Sequence, residues 1–458
     1  MILSIFEGRF LLMRMLLLGA AMLLVCIGIL TIYAIGHPDS DSSYQSSAIS
    51  PDENSGWHGQ AVLGRGEGAA RPANSQASGL RPPVSGPNKY SDKWKKQLAF
   101  AGAGLVMLIL VNLFDYRHWG LISYALYGFV LFLLAIILVD KEIFAIPFVK
   151  DRDGIHRWIK IGFGFLVQPS EFCKIAYILA LAWYLRFRSN YRTFAGLIGP
   201  FALTLLAMAL ILLEPDLGTT VLLMPVLFTM LFVAGARVKH LVIILCIGLA
   251  VSPIMWKFIK PYQRMRISTV LLQNENIFRA VEKNKTLTKI LVGNPDNLRT
   301  WEGNDGYQLL QAKQAIASGG LTGYGWGKGP YTQGAYVNLP EADNDMIFAM
   351  IAHQFGILGC GVILVLYSVI IACAIELAWL NTDPFGRLVA VGIAAMFAVQ
   401  VLVNVGMTLG LMPITGLTLP LVSYGGSSMV TNFIAIGLLN NIGKHRPFSV
   451  AKKPFEFG

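Results

Sequence analysis

The sequence predicts an all-α polytopic membrane protein with about ten transmembrane helices and a large outward-facing loop before the eighth. Three observations carry that prediction. Of the 458 residues, 55% are apolar and only 14% charged, where a soluble domain carries about a quarter; the mean hydropathy is +0.57. The apolar residues gather in runs of about 20, the length needed to cross roughly 30 Å of hydrocarbon. These runs are continuous rather than alternating, which selects helices over a β-barrel.

Taken in order, the first run, about 11–35, is too long for a signal-peptide core and lacks a convincing cleavage site, so it reads as a retained helix. Residues 37–92, with "HPDSDSSYQSSAISPDENSG" and "ARPANSQASGLRPPVSGPN", are rich in Ser, Gly, Pro and Asn. Such a segment cannot bury enough surface to offset its ordering entropy and is expected to be mostly disordered. Runs at about 95–114 and 119–139 follow, then an outer segment at 140–168, then runs at 169–186, 194–213, 217–235 and 239–258. The long segment 259–345 mixes aromatic, amphipathic and Gly-rich stretches. Loops of that length without structure are uncommon, so short helices on the membrane surface and a built site are expected there. Runs at about 346–375, 386–411 and 422–442 complete the set. The chain thus divides into 1–36, 37–92, 93–258, 259–345, 346–443 and a basic tail at 444–458.

Lys and Arg in the short connections set the orientation. Arg186, Arg188, Arg192, Arg237, Lys239, Arg387 and the tail's Lys444, Arg446, Lys452 and Lys453 fall on one side, together with Arg9 and Arg14. Both termini are therefore expected in the cytoplasm. The net charge of +11 is spread between apolar runs with no basic-aromatic stripe, which argues against nucleic acid and for topology signals and an anionic membrane-bound ligand. Cys26, Cys173, Cys246, Cys360 and Cys373 all lie inside apolar runs; they read as buried thiols, with no disulfide framework or zinc spacing.

The candidate chemistry gathers at the outer ends of these helices. "NLPEADNDMIFAMI" crowds Glu341, Asp343 and Asp345 against the eighth run. Either Asn344 or Asp345 caps that helix, or Asp345 is a base or cation ligand whose pKa the apolar boundary raises. In "RWIKIGFGFLVQPSEFCKIAY", Glu171 and Lys174 share a helix face and can pair, while Arg157 and Lys160 stand just outside, suited to phosphate oxygens. "LLEPDLGTT" sets Glu214 and Asp216 in a tight turn, with Asp216 a natural cap. "KPYQRMRI" supplies Lys260, Arg264 and Arg266; guanidinium forks suit a pyrophosphate, and a merely solvated basic segment is the alternative. "SGGLTGYGWGKG" is no P-loop, since glycine follows Lys328 and no strand precedes it; tight packing or close approach of backbone to a ligand explains it. "PITGLTLPLVSYGGSSMV" reads as a broken start to the tenth helix, with Ser427 and Ser428 beside a glycine pair.

In this order, from about Trp94 to Ile442, these motifs resemble the SEDS family (shape, elongation, division and sporulation), the RodA/FtsW type of bacterial cell-wall polymerase. "NVGMTLGLMPITG" leans toward RodA and "GLTLPL" toward FtsW; the balance favours RodA. The resemblance implies peptidoglycan glycosyltransfer from lipid II at the outer face of the bacterial cytoplasmic membrane, in elongation or division. Asp345 stands where the family's essential acid stands, within Asn-Asp-Met rather than the usual Thr-Asp-Phe. The resemblance carries Arg157, Glu171 and Lys174 over as substrate-binding residues, to which the reading of the residues adds Arg264, Arg266, Ser427 and Ser428, with undecaprenyl pyrophosphate as the implied product. It also implies a class B penicillin-binding protein transpeptidase and other elongation or division proteins as partners. A divalent cation (Mg or Mn) could share the charge on the leaving group, although no ligand cluster marks one. The rival readings are a lipid II flippase or transporter, which needs no base, and a scaffold that recruits a transpeptidase.

Overall fold

A computed structural model of the chain describes residues 2–37, 92–142, 149–152, 155–161, 165–187, 192–257, 259–303, 305–332 and 339–445. The segment expected to be disordered (residues 38–91 of it), Arg188 and the tail beyond 445 lie outside these residues. In chain order the helices are α1 (Ile2–Gly36), α2 (Lys93–Leu113), the short α3 (Tyr116–Leu121) and α4 (Ser123–Glu142). Strands β1 (Val149–Arg152), β2 (Ile155–Ile161) and β3 (Phe165–Val167) follow. Helices α5 (Pro169–Leu185), α6 (Ile198–Leu213), α7 (Leu217–Ala234) and α8 (Val238–Trp256) come next. Five short helices fill the long loop: α9 (Pro261–Leu272), α10 (Glu275–Lys283), α11 (Lys285–Leu291), α12 (Pro295–Gly303) and α13 (Asp305–Gly319). The last three are α14 (Ile347–Leu380), α15 (Pro384–Thr408) and α16 (Gly426–Lys444).

Ten long helices thus stand at the ten expected crossings. Eight of them are long and apolar enough to span a membrane by length and composition. The other two are α5, only 17 residues long, and α16, diluted by Asn432, Asn440 and Asn441. Those asparagines have work to do. Asn441 Nδ2 donates to the carbonyls of Val111 and Phe114 at 2.7 and 2.6 Å, and Asn440 Nδ2 to Asn112 Oδ1 at 2.7 Å. Arg14 Nε closes the chain onto Asn440 Oδ1 at 2.8 Å. In a medium with no competing water, side-chain bonds of this kind hold helices together where apolar contact alone does not discriminate. The third crossing starts later than expected, at Ser123, because 116–121 forms a separate turn of helix.

Local chemistry sets the helix ends. Pro169 opens α5 at a position where a missing N–H costs nothing. Asp216 caps α7 through the Thr219 N–H at 3.1 Å, and Gly235, at φ +98°, ends it. Asp383 caps α15 through the Gly386 N–H at 3.1 Å. Helix α15 is the central post, buried along most of its length, whereas α8 buries only Leu241. The all-helical expectation misses one feature, an antiparallel three-stranded sheet in the order β1-β2-β3. Its signal was slight: β-branched Ile155, Ile159 and Ile161 share one parity, but only Ile159-Lys160-Ile161 alternates cleanly. Of the five cysteines, Cys173 and Cys373 are buried as expected; Cys360 is half-buried, and Cys26 and Cys246 lie exposed on the bundle surface.

The glycine-rich loop serves packing. Helix α14 breaks at Gly356 (φ +62°, ψ −161°), a backbone state open only to glycine. There the Tyr324 and Gly325 N–H groups donate to the carbonyls of His353 and Gln354 at 3.1 and 2.9 Å. In return the Ile357 and Leu358 N–H groups donate to the carbonyls of Gly320 and Leu321 at 3.0 and 3.2 Å. The loop thus replaces the hydrogen bonds that the break removes from the helix ladder. Before the break, residues 347–354 are buried; after it, Ile357 and Leu358 face outward.

Candidate active site

One end of the bundle holds a cavity of about 540 Å³. Its walls come from the start of α2 (Lys96, Phe100), the sheet (Arg157, Trp158, Leu166), the start of α5 (Gln168, Glu171) and the α6–α7 turn (Asp216, Thr219). Asn344, the non-helical run before α16 (residues 416–418, 424 and 425) and the first turn of α16 (426–428) close it. Irregular backbone is tolerated at this depth where it lines a cavity.

Asp345 is not itself among the lining residues and stands directly behind this wall. Both Asn344 and Gly416 line the cavity, and a methyl built on Gly416 (φ +74°) would lie 3.5 Å from Asp345 Oδ2. The residue as a whole is only 8% exposed. Burial, then the neighbouring Glu341 charge, pushes its pKa up from 3.8 to about 7, while Arg266 pulls the other way. The capping account of this acid does not hold: Met346 occupies the cap position of α14 with no side-chain hydrogen bond. The backbone around it is fixed instead. Three successive carbonyls, those of Asp343, Asn344 and Asp345, accept from Tyr424 N at 2.8 Å, Ser423 Oγ at 2.7 Å and Asn404 Nδ2 at 2.9 Å. Asp343 is further held by Lys93 Nζ at 2.6 Å, and Glu341 Oε2 accepts from Asn344 Nδ2 at 3.3 Å.

The other candidate residues divide. Arg157 lines the cavity, steadied by its Nε on the Glu214 carbonyl at 2.8 Å and its Nη2 on the Pro215 carbonyl. Glu171, Ser427 and Ser428 line it too. Ser427 Oγ accepts from the Gln168 N–H at 2.9 Å, joining α16 to the end of the sheet, and Ser428 Oγ pairs with Thr418 Oγ1 at 2.9 Å. Lys174 lies beneath the floor, fully buried, with Nζ 2.7 Å from Glu171 Oε2. Arg264 spends its guanidinium on the carbonyls of Ile259 and Lys257 at 3.0 and 2.9 Å. Arg266 is outside the lining and acts on Asp345 and Asp305 through its charge. Among the described residues no group of three or more His, Cys, Asp or Glu side chains is placed to hold a metal. Of the lining carboxylates, Glu171 is paired with Lys174, and Asp216 accepts from Ser170, Gln168 and Thr219. This donor set does not fit a divalent cation.

Sequence reasoning missed Lys96, Gln168, Ser423 and Asn404. Lys93, Lys95 and Lys96 carried a signal, since a basic cluster at the end of a span expected to face outward runs against the positive-inside rule. Asn404 carried another, as an amide inside a long apolar run.

A multi-helix bundle with long apolar helices and a polar, charged cavity at one end defines an integral membrane protein with a built site. The family model described as "Cell cycle protein", for FtsW, RodA and SpoVE, matches residues 84–447, and the chain belongs to that family. Stage V sporulation protein E of Bacillus subtilis is 34% identical over 364 residues, 78% of this chain and 89% of its own length. The probable peptidoglycan glycosyltransferase FtsW of Trichlorobacter lovleyi is 33% identical, over 76% of this chain and 82% of its own. Peptidoglycan glycosyltransferase RodA of Treponema pallidum is 30% identical, over 77% and 90%. These three identities lie close together, and the lean toward RodA gains no support from them. A chain in a structure of a peptidoglycan synthase complex superposes with a TM-score of 0.60 at 29% identity, covering 77% of this chain and 89% of that one. Thermus thermophilus RodA superposes at 0.56 with 23% identity, over 94% and 96%, a likeness of fold alone.

Proposed function

We propose that the chain is a peptidoglycan glycosyltransferase that extends glycan strands from lipid II at the outer face of the cytoplasmic membrane. The observation that carries this reading is the buried Asp345 carboxylate, raised to about 7 and held behind Asn344 and Gly416 in the wall of a charged cavity. A general base works best with a pKa near the operating pH. Asp345 takes the proton from the C4 hydroxyl of a GlcNAc, and that oxygen attacks C1 of a MurNAc linked to undecaprenyl pyrophosphate. The C1–O bond to the pyrophosphate breaks, α linkage inverts to β, and the lipid pyrophosphate leaves with the bonding electrons. Arg157 and Lys96, both in the cavity lining, meet the charge growing on that leaving group. Lys174 keeps Glu171 in place beneath them.

The same reading sets both termini in the cytoplasm and the cavity outside, and pairs the chain with a class B penicillin-binding protein, which cross-links what this chain polymerises. Asp345→Asn is expected to abolish glycan synthesis from lipid II by the purified, folded protein. Full polymerisation by that variant would sink the assignment. Lipid II translocation in liposomes without glycan chains would replace it with the flippase reading, which needs no base.

A further inference from the structure

We infer that Asn404 is the positioning residue of this site, setting the depth and direction of Asp345 from a transmembrane helix. The inference rests on the polymerase reading for its kinetic arm and on geometry alone for the rest.

Asn404 lies on α15, fully buried. Its Nδ2 donates twice: to the Asp345 carbonyl at 2.9 Å and to the Leu417 carbonyl at 2.7 Å. Leu417 follows Gly416, the residue alongside the Asp345 carboxylate, and both belong to the cavity lining. One amide therefore ties the base to the wall that faces it. Of the three ties on the 343–345 backbone, the other two come from Ser423 and Tyr424, on the non-helical run itself. Asn404 alone among them comes from the central helix, which anchors both loops to the rigid part of the fold.

The chemistry demands an amide. Two carbonyl oxygens need two donated protons, and an NH₂ group supplies them from one atom. A carboxylate of the same shape repels both carbonyls, and a protonated one serves only one of them. With Asn404 lost, the Asp345 segment is free to shift toward water, and a displacement of about 1 Å at a catalytic group can cost about 10²-fold in rate.

The experiment uses the full-length protein in detergent, with Asn404→Ala and the isosteric Asn404→Asp compared at equal amounts of monodisperse protein. Two readouts are taken: the rate of lipid II polymerisation against substrate concentration, and the rate at which a water-soluble carbodiimide modifies Asp345 across pH, followed by mass spectrometry. The expected result is kcat lowered at least about tenfold in both variants with KM little changed. Carbodiimide modification of Asp345 should also be faster, with its midpoint moved below that of the parent. Modification that matches the parent in both rate and midpoint overturns the inference, whatever reaction the chain catalyses. An unaltered chain that makes no glycan overturns the polymerase reading instead, and the modification arm still decides Asn404.

Discussion

At the scale of single residues, the character of this site is a matter of where charge is allowed. Asp345 is a carboxyl held out of water beside a second acid, and both conditions favour its neutral form. As a base it is competent only when ionised, so polymerisation should rise with pH through a midpoint near 7. Its neighbours should move that limb in opposite directions. Glu341→Gln removes a repulsion, so the midpoint should fall; Arg266→Gln removes an attraction, so it should rise. Rate against pH for the three proteins checks both signs, and a shared direction would refute the electrostatic account. Stability follows the same logic. Below the ordinary value of 3.8 the carboxyl is neutral in both folded and unfolded chains. As pH rises toward 7 only the unfolded chain gains by ionising, so the buried acid costs stability there. Asp345→Asn should therefore melt no lower than the parent at pH 8, while being inactive.

At the scale of elements, what the sequence reveals depends on whether the deciding force is local. Ten apolar runs were legible because crossing a bilayer is a demand each run meets alone. Capping by Asp216 and the broken run before α16 were legible for similar reasons. The pairing of Glu171 with Lys174 was readable from their spacing, but its depth was not, and neither were the partners of Arg264. The function of "SGGLTGYGWGKG" was hidden because its partner, the break at Gly356, lies over thirty residues away. There the sequence shows only one more glycine in an apolar run. That clasp makes a sharp prediction. Gly356→Ala puts a non-glycine residue at φ +62°, with its Cβ colliding with the Leu321 carbonyl. The backbone strain alone is about 1–3 kcal/mol. The variant should melt several degrees lower and lose activity as α14 shifts beneath Asp345. Gly361→Ala, on the same helix with nothing within 4 Å of its Cβ, should be neutral or slightly stabilising because alanine is the better helix former. Equal melting of the two variants would show that the break is not held by this loop.

At the scale of the whole molecule, the division of charge between the two ends of the bundle favours one orientation in a membrane. Arg186, Arg192, Arg237, Lys239, Arg387 and Lys444 all fall at the end opposite the cavity, in the short connections where basic residues govern topology. The cavity end also carries cations, among them Lys93, Lys96 and Arg266, but these flank long segments that translocate largely regardless of charge. There Lys93 meets Asp343, and Arg266 acts on Asp345 and Asp305. The proposed orientation, cavity outward, can be read with single cysteines on exposed sites: Lys283→Cys on α10 for the cavity end and Lys239→Cys at the start of α8 for the other. Cys26 and Cys246, the two exposed native thiols, are first replaced by serine. In intact cells a membrane-impermeant maleimide should label position 283 and leave 239 untouched until the membrane is permeabilised. The reverse pattern would place Asp345 on the cytoplasmic side. A polymerase there would build glycan on the wrong face of the membrane, and the proposed function would fall with the orientation.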